Sequence, residues 1–182
     1  YDLKMESPTI VGMGVAFEPV QDKLLLETNV KWLNWQDADG YKDFGWDDQW
    51  VFNVGAQYKA TPKISLRAGY NYGRNPVKEH TLSAASAPIS VQGHPVPQFQ
   101  YEVLRVAGFP AIVESHLTAG MGYSFSKNLS VDLGYVHAFK KSISESGTAA
   151  FPDGQGGFVA VPVNIQTDLS EDSVDFGITW RF

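Results

Sequence analysis

The chain has no cysteine, no long apolar run and little charge of either sign, and each shortage removes a class of protein. Without cysteine there are no disulfides and no thiolate metal sites. No stretch approaches the roughly 18 consecutive apolar residues that a membrane-spanning helix needs. No basic stretch followed by an apolar segment occurs near Tyr1-Asp2-Leu3, so a signal peptide, if one is encoded, lies outside these 182 residues. Asp and Glu number 20 against 14 Lys and Arg, a net charge of −6 that argues against nucleic acid as a partner. Gly-x-Ser-x-Gly, His-Glu-x-x-His and phosphate-cradling glycine loops are all missing, so no enzyme and no cofactor are expected. Glycine, in contrast, is plentiful at 17 residues. Each interior glycine costs a helix about 1 kcal/mol, so the composition points to β-structure.

Period-two alternation predicts seven strands: Ile10–Phe17, Leu24–Leu33, Trp50–Tyr58, Ile64–Tyr72, His116–Phe125, Leu129–Phe139 and Val174–Phe182. Most have the roughly 9–11 residues that a tilted strand needs to cross a bilayer. One phase carries Leu24, Leu26, Thr28, Val30 and Trp32, then Trp50, Phe52, Val54, Ala56 and Tyr58, and so on to Val174, Phe176, Ile178, Trp180 and Phe182. It holds no Asp, Glu, Lys or Arg. The other phase carries Glu27, Lys31, Lys59, Arg67, Asp132, Asp175 and Arg181, with Asn29, Asn53, Gln57 and Asn71. An Arg or Lys facing lipid costs about 2–4 kcal/mol at the bilayer midplane, so this segregation is what a barrel in lipid requires. A soluble sandwich or lipocalin-like barrel shows the same alternation with its apolar face turned inward. Strand length, aromatics towards strand ends (Trp32, Trp50, Tyr58, Tyr72, Phe125, Phe139, Trp180) and alternating connection lengths favour the membrane version.

Short links are expected at Glu18–Lys23, Lys59–Lys63 and Ser126–Asn128, and long ones at Asn34–Gln49, Gly73–Ser115 and Lys140–Ser173. Outer-membrane barrels have short periplasmic turns and longer outer loops, which sets the C-terminus in the periplasm. The 73–115 link holds Pro76, Pro88, Pro95, Pro97 and Pro110 between apolar stretches Val103–Val106 and Phe109–Val113, so it is expected to pack on or into the barrel mouth. Bacterial single-chain barrels have even strand numbers, and an open sheet edge in lipid leaves costly unpaired backbone groups. Seven strands therefore imply part of a larger barrel. An eighth within 73–115 or 140–173 is the alternative, but no stretch of nine residues there alternates convincingly.

Several motifs bear a family resemblance. Trp32-Leu-Asn-Trp35, Asp47-Asp-Gln-Trp50, Leu66-Arg-Ala-Gly-Tyr70, Arg74-Asn-Pro-Val77, Thr118-Ala-Gly-Met-Gly-Tyr123 and Leu129-Ser-Val-Asp-Leu-Gly-Tyr135 resemble the FadL/TodX family of outer-membrane transporters, in order and spacing. The resemblance implies a fourteen-stranded barrel with an N-terminal hatch, of which residues 1–182 are the last seven strands. It further implies passive passage of long-chain fatty acids or hydrocarbons in the Gram-negative outer membrane, with lateral release through a kinked strand. Hatch, kinked strand and ligand-capturing loops belong to a part not in this sequence. Phe176, Ile178, Trp180 and Phe182 also resemble the C-terminal aromatic signal read by the barrel-assembly machinery. Lipids and lipopolysaccharide would be the surroundings. A structural or adhesive barrel, or a general porin, are the competing functions.

If the chain transports, the lumen-facing Arg67, Lys59, Lys31, Glu27, Asn53, Asn71 and Asp132 are the candidate substrate contacts. Arg67 and Lys59 can pair with a fatty-acid carboxylate, or instead with Glu27, Asp132 or Asp175 in an internal network. Asp37-Ala-Asp39-Gly40 with Asp43 hints at a calcium loop but lacks the full spacing, and His80, His94, His116 and His137 have no ligand spacing, so no metal is expected.

Overall fold

A computed structural model describes every residue except Tyr1 and Pro110. Long antiparallel strands dominate: β1 (Thr9–Val20), β2 (Leu24–Asn34), β3 (Gln49–Lys59), β4 (Ile64–Gly73), β7 (Ser115–Ser124), β8 (Leu129–Pro152) and β9 (Phe158–Trp180). They form one sheet in the order β1-β2-β3-β4-β7-β8-β9, each strand beside its neighbour in sequence. Between β4 and β7 the chain adds a small hairpin, β5 (Ile89–Val91) and β6 (His94–Val96), then helix α1 (Gln98–Val103), which runs into a π-helical turn at Leu104–Gly108. No helix among the described residues is long and apolar enough to cross a membrane.

The register carries the alternation across the whole sheet. Val11 faces Trp32, Trp32 faces Trp50, Phe52 faces Tyr72, Tyr70 faces Leu117, Met121 faces Leu133 and Leu133 faces Phe176. A slip of one residue in any pair would carry polar side chains onto this face, so one apolar surface fixes all six registers. None of the described residues covers that surface: Phe52, Val54 and Leu133 are about half exposed, and Val174 is 73% exposed. A soluble sandwich would bury this row, and the structure does the reverse. β1 and β9 are both open edges among the described residues.

Two sequence expectations need correction. The segment Lys140–Ser173 is not a loop, and the last strand does not begin at Val174. β8 and β9 run on together to a turn at 153–157, with Lys141 opposite Leu169, Glu145 opposite Ile165 and Pro152 opposite Phe158. Gly154-Gln-Gly-Gly157 is the tip of this hairpin, where Asp153 Oδ1 accepts from the backbone N–H groups of Gln155 and Gly157. The alternation is present in 140–173 after all, but its sense is inverted. A bulge between Ala138 and Lys141 places an extra residue in β8 and moves the inward side from even to odd positions. Inward-facing residues then become Ile143, Glu145 and Ala149, opposite Thr167, Ile165 and Val161, while Ser142, Ser144, Asn164 and Asp168 stay exposed. Pro162 is tolerated because β9 is an edge strand.

The hydrophobic core lies above the wall. Phe44, Trp46, Val77, Leu82, Val91, Tyr101, Val106, Ile112, Ile143 and Ile165 pack together, drawing the 35–48 and 74–114 segments onto the inward side of the β8–β9 extension. The expectation that the 73–115 link packs down is met by Val106 and Ile112; Pro110 lies outside the described residues. Leu82 seals the seam by donating to Ser146 O at 3.1 Å and accepting from the Thr148 N–H at 3.1 Å. Gly147 stands between these two with φ of +153°, and a Cβ there would meet Leu82 O at 1.9 Å. Only glycine permits that approach.

Candidate functional site: the inner wall and its cap

The inward face of the sheet is polar in two tiers. In the upper tier Asn29, Asn53, Asn71 and His116 are successive cross-strand partners on β2, β3, β4 and β7. Their amides form a ladder: Asn53 Nδ2 donates to Asn29 Oδ1 at 2.6 Å, and Asn71 Nδ2 to Asn53 Oδ1 at 2.5 Å. His116 Nδ1 lies 3.2 Å from Asn71 Oδ1, and Asn29 Nδ2 donates to Glu27 Oε1 at 3.3 Å. The sequence singled out Asn53, Asn71 and Glu27 but did not connect them, and it assigned His116 no role. Cross-strand register was the missing information.

The lower tier centres on Arg67. Its Nε donates to Gln57 Oε1 at 2.7 Å, and its Nη1 meets Asp132 Oδ1 at 2.6 Å. Asp132 is two strands away, and the pair crosses β7 where Gly120 and Gly122 leave the surface bare. A Cβ at Gly122 would sit 2.6 Å from Asp132 Oδ1. Of the two fates foreseen for Arg67, the structure places it in the internal network. No ion pair is recorded for Lys31 or Lys59 among the described residues. Between the tiers is a recess of about 390 Å³ floored by Gly55 and Gly69 and edged by Asn53, Gln57, Arg67 and Asn71. Phe176, Ile178 and Trp180 lie on the outward face of β9, and Phe182 follows its end.

The cap contains what the sequence did not reveal. Arg105 is fully buried, its Nε donating to Glu102 Oε2 at 2.7 Å, with further bonds to Glu145 and to the carbonyl of Lys78. His80 joins both carboxylates, through Nδ1 to Glu102 Oε1 at 2.9 Å and through its backbone N–H to Glu145 Oε1 at 2.9 Å. His80, Glu102 and Glu145 offer ligand atoms within 4.8 Å of one another. The guanidinium of Arg105 already sits against both carboxylates, which disfavours a cation there. Burial holds the Tyr101 phenol up at about 12, and its OH donates to Asp43 O at 2.9 Å. In the 37–43 loop, Asp39 is held by Lys4 at 2.8 Å and by Lys42, which keep its carboxyl down at about 2. Its carboxylate is committed to these lysines. Trp35, Tyr41 and Trp46 form a mutual aromatic triad with centroids 4.5 to 5.0 Å apart.

An outward apolar surface, a polar inner wall and a folded cap define a class by architecture, part of a β-barrel wall, and the comparisons show what this chain is similar to. The model of the family described as outer membrane protein transport protein (OMPP1/FadL/TodX) matches residues 2–90. Outer membrane protein P1 of Haemophilus influenzae is 27% identical over 139 residues, covering 70% of this chain and 25% of that protein. The same protein from strain Rd is 27% identical over 154 residues, covering 78% and 28%. The toluene transporter TodX of Pseudomonas putida superposes with a TM-score of 0.60 at 16% identity, over 96% of this chain and 35% of that one. A Pseudomonas aeruginosa FadL homologue gives 0.58 at 17% identity, over 95% and 35%. The resemblance of this chain to the FadL/TodX family, carried by its motifs, is thereby shown in sequence and in fold. The chain spans about a quarter of the length of these curated relatives.

Proposed function

We propose that this chain supplies part of the wall and mouth of an outer-membrane channel for hydrophobic molecules such as long-chain fatty acids or hydrocarbons, which cross by passive diffusion and leave laterally into the bilayer. The observation that carries the reading is the inversion of pattern along β8 and β9. Up to Ala138 and from Val174 onward, outward residues are chiefly apolar and the inward side carries the charges; beyond the bulge, outward residues are chiefly polar and inward ones apolar apart from the ion-paired Glu145. A strand pair that changes solvent at one level has its lower part in lipid and its upper part in water. Support comes from the neighbours in fold, of which TodX is a toluene transporter and a monoaromatic hydrocarbon channel.

In this reading residues 1–182 are the C-terminal part of one barrel domain, completed by strands that pair with β1 and β9. The C-terminus lies in the periplasm, with the cap on the outer side. Glu27, Lys31, Asn53, Lys59, Arg67, Asn71 and Asp132 line the passage. Phe176, Ile178, Trp180 and Phe182 present the assembly signal to the barrel-assembly machinery, and lipopolysaccharide surrounds the outer rim. Uptake of radiolabelled oleate and of an alkane in a deletion strain, with and without the complementing gene, tests the function. Complementation that restores neither defeats it and favours a structural or adhesive barrel. Rapid liposome swelling in small sugars would mark a general porin instead.

A further inference from the structure

The buried cluster of the cap has two carboxylates and one arginine. Glu102 and Arg105 come from α1 and the turn that follows it, Glu145 from β8, and His80 from the strand-free segment before β5. Arg105, Glu102 and Glu145 are each at most 1% exposed. Glu145 Oε1 accepts from Arg105 and from the His80 N–H, while Glu145 Oε2 is buried with no hydrogen-bond partner. An ionised carboxylate oxygen left bare in that position costs several kcal/mol, by the ordinary penalty for a buried unpaired charge. Carboxylate oxygens of Glu102 and Glu145 approach within 4.8 Å of each other around the one guanidinium they share.

We propose that a single proton held between Glu145 and Glu102 latches the 74–114 cap segment to the β8–β9 hairpin, and that losing this proton loosens the cap over the inner wall. Protonation turns the bare oxygen of Glu145 into a donor and leaves one ionised carboxylate, Glu102, for one guanidinium. The groups that face Glu145 are Glu102, Arg105, His80 and Tyr101. Burial pushes the Glu145 carboxyl above the usual range. Burial also acts on Glu102, but bonds from His80 and Arg105 outweigh it and hold that carboxyl below the usual range. The two therefore act in opposite directions. A raised carboxyl stabilises the closed cap below its unfolded value and loses that contribution as pH rises through its folded value. A lowered one contributes above its unfolded value and loses it as pH falls through the folded value. The latch is tightest in the window between them.

Hydrogen exchange of the 98–108 amides in the intact protein, corrected for intrinsic rates and followed against pH, tests this. Between the ordinary and the raised folded value of Glu145 the open population should rise about tenfold per pH unit, the slope of one proton, and level off above the folded value. Glu145→Gln, which imitates the protonated form, should keep the cap protected and flatten the slope. Glu102→Gln should loosen it at every pH. Infrared spectroscopy should find a protonated-carboxyl band in the wild type that Glu145→Gln removes. A slope that survives in Glu145→Gln but vanishes in His80→Asn would overturn the proposal in favour of the imidazole. Protection that falls with a chelator and returns with zinc alone would overturn it in favour of a metal.

Discussion

The wall and the cap are built from the same chain by opposite rules. In the wall, most large apolar side chains face outward and form no core; hydrogen bonds between strands and a shared register hold the sheet together. In the cap, apolar side chains face inward around Val106, Ile112 and Ile143, and even the charged groups are buried. β8 and β9 take part in both, so one continuous strand pair changes its composition where its surroundings change. The difference teaches that the solvent on each side decides which phase of a strand is apolar. In the proposed reading, the level at which the phase inverts marks the boundary between lipid and water.

The largest expected effect lies on the cap side. Arg105→Met leaves Glu102 and Glu145 facing each other without a cation, and removing one partner of a buried ionic group costs about 3–5 kcal/mol. Proteolysis should then cut within 74–114 while the strand region stays protected. Loss of the whole sheet together with the cap would show that the two regions are not separable.

The boundary itself can be tested by one residue type at two heights on β8. Leu133→Arg places a charge on the outward face within the apolar band and should lower stability by about 2–4 kcal/mol in lipid. Ser144→Arg places the same charge on the exposed outer side of the extension, where surface substitutions stay within about 0.5 kcal/mol. Unfolding titrations in liposomes give both numbers. Equal costs would erase the comparison.

Within the wall, Gly122 sharpens the account of the inner face. Gly122→Ala sets a methyl group against the Asp132 carboxylate, and crowding of this kind costs about 1–3 kcal/mol. Asp132→Asn should lose the ion pair but not suffer the clash, so it should cost less. Denaturant midpoints of the two variants compare them directly.

The same contrast explains what could be read in advance. In the wall, residues two apart share an environment, and Phe52, Val54 and Ala56 reveal theirs without any knowledge of partners. All seven strands and their faces follow from that. The hairpin extension escaped because a bulge at 138–141 reverses the phase, and Ser, Ala, Gly and Pro dilute the apolar signal above it. In the cap, Arg105 meets Glu145 across 40 positions, through a helix and a turn that follow no period. Charged residues at 102, 105 and 145 look like surface in a sequence, since Glu and Arg are almost never fully buried unless paired. Their pairing is a property of packing alone. Arg67 was legible as an inward cation, but its pairing with Asp132 depends on glycines that clear the path across β7.

Arg67→Ala carries the smallest expected effect on stability and the most informative one on transport. The pair is partly exposed, 46% for Arg67 and 37% for Asp132, so its loss should cost less than about 1 kcal/mol. Because Gln57 and Asp132 occupy its donors, Arg67 should act on the shape of the passage rather than on the charge of what passes. Oleate and alkane uptake should therefore fall together, and modestly. A loss confined to oleate would mean that Arg67 leaves Asp132 to meet the carboxylate. The inner wall would then be a site of recognition, and the ion pair only its resting state.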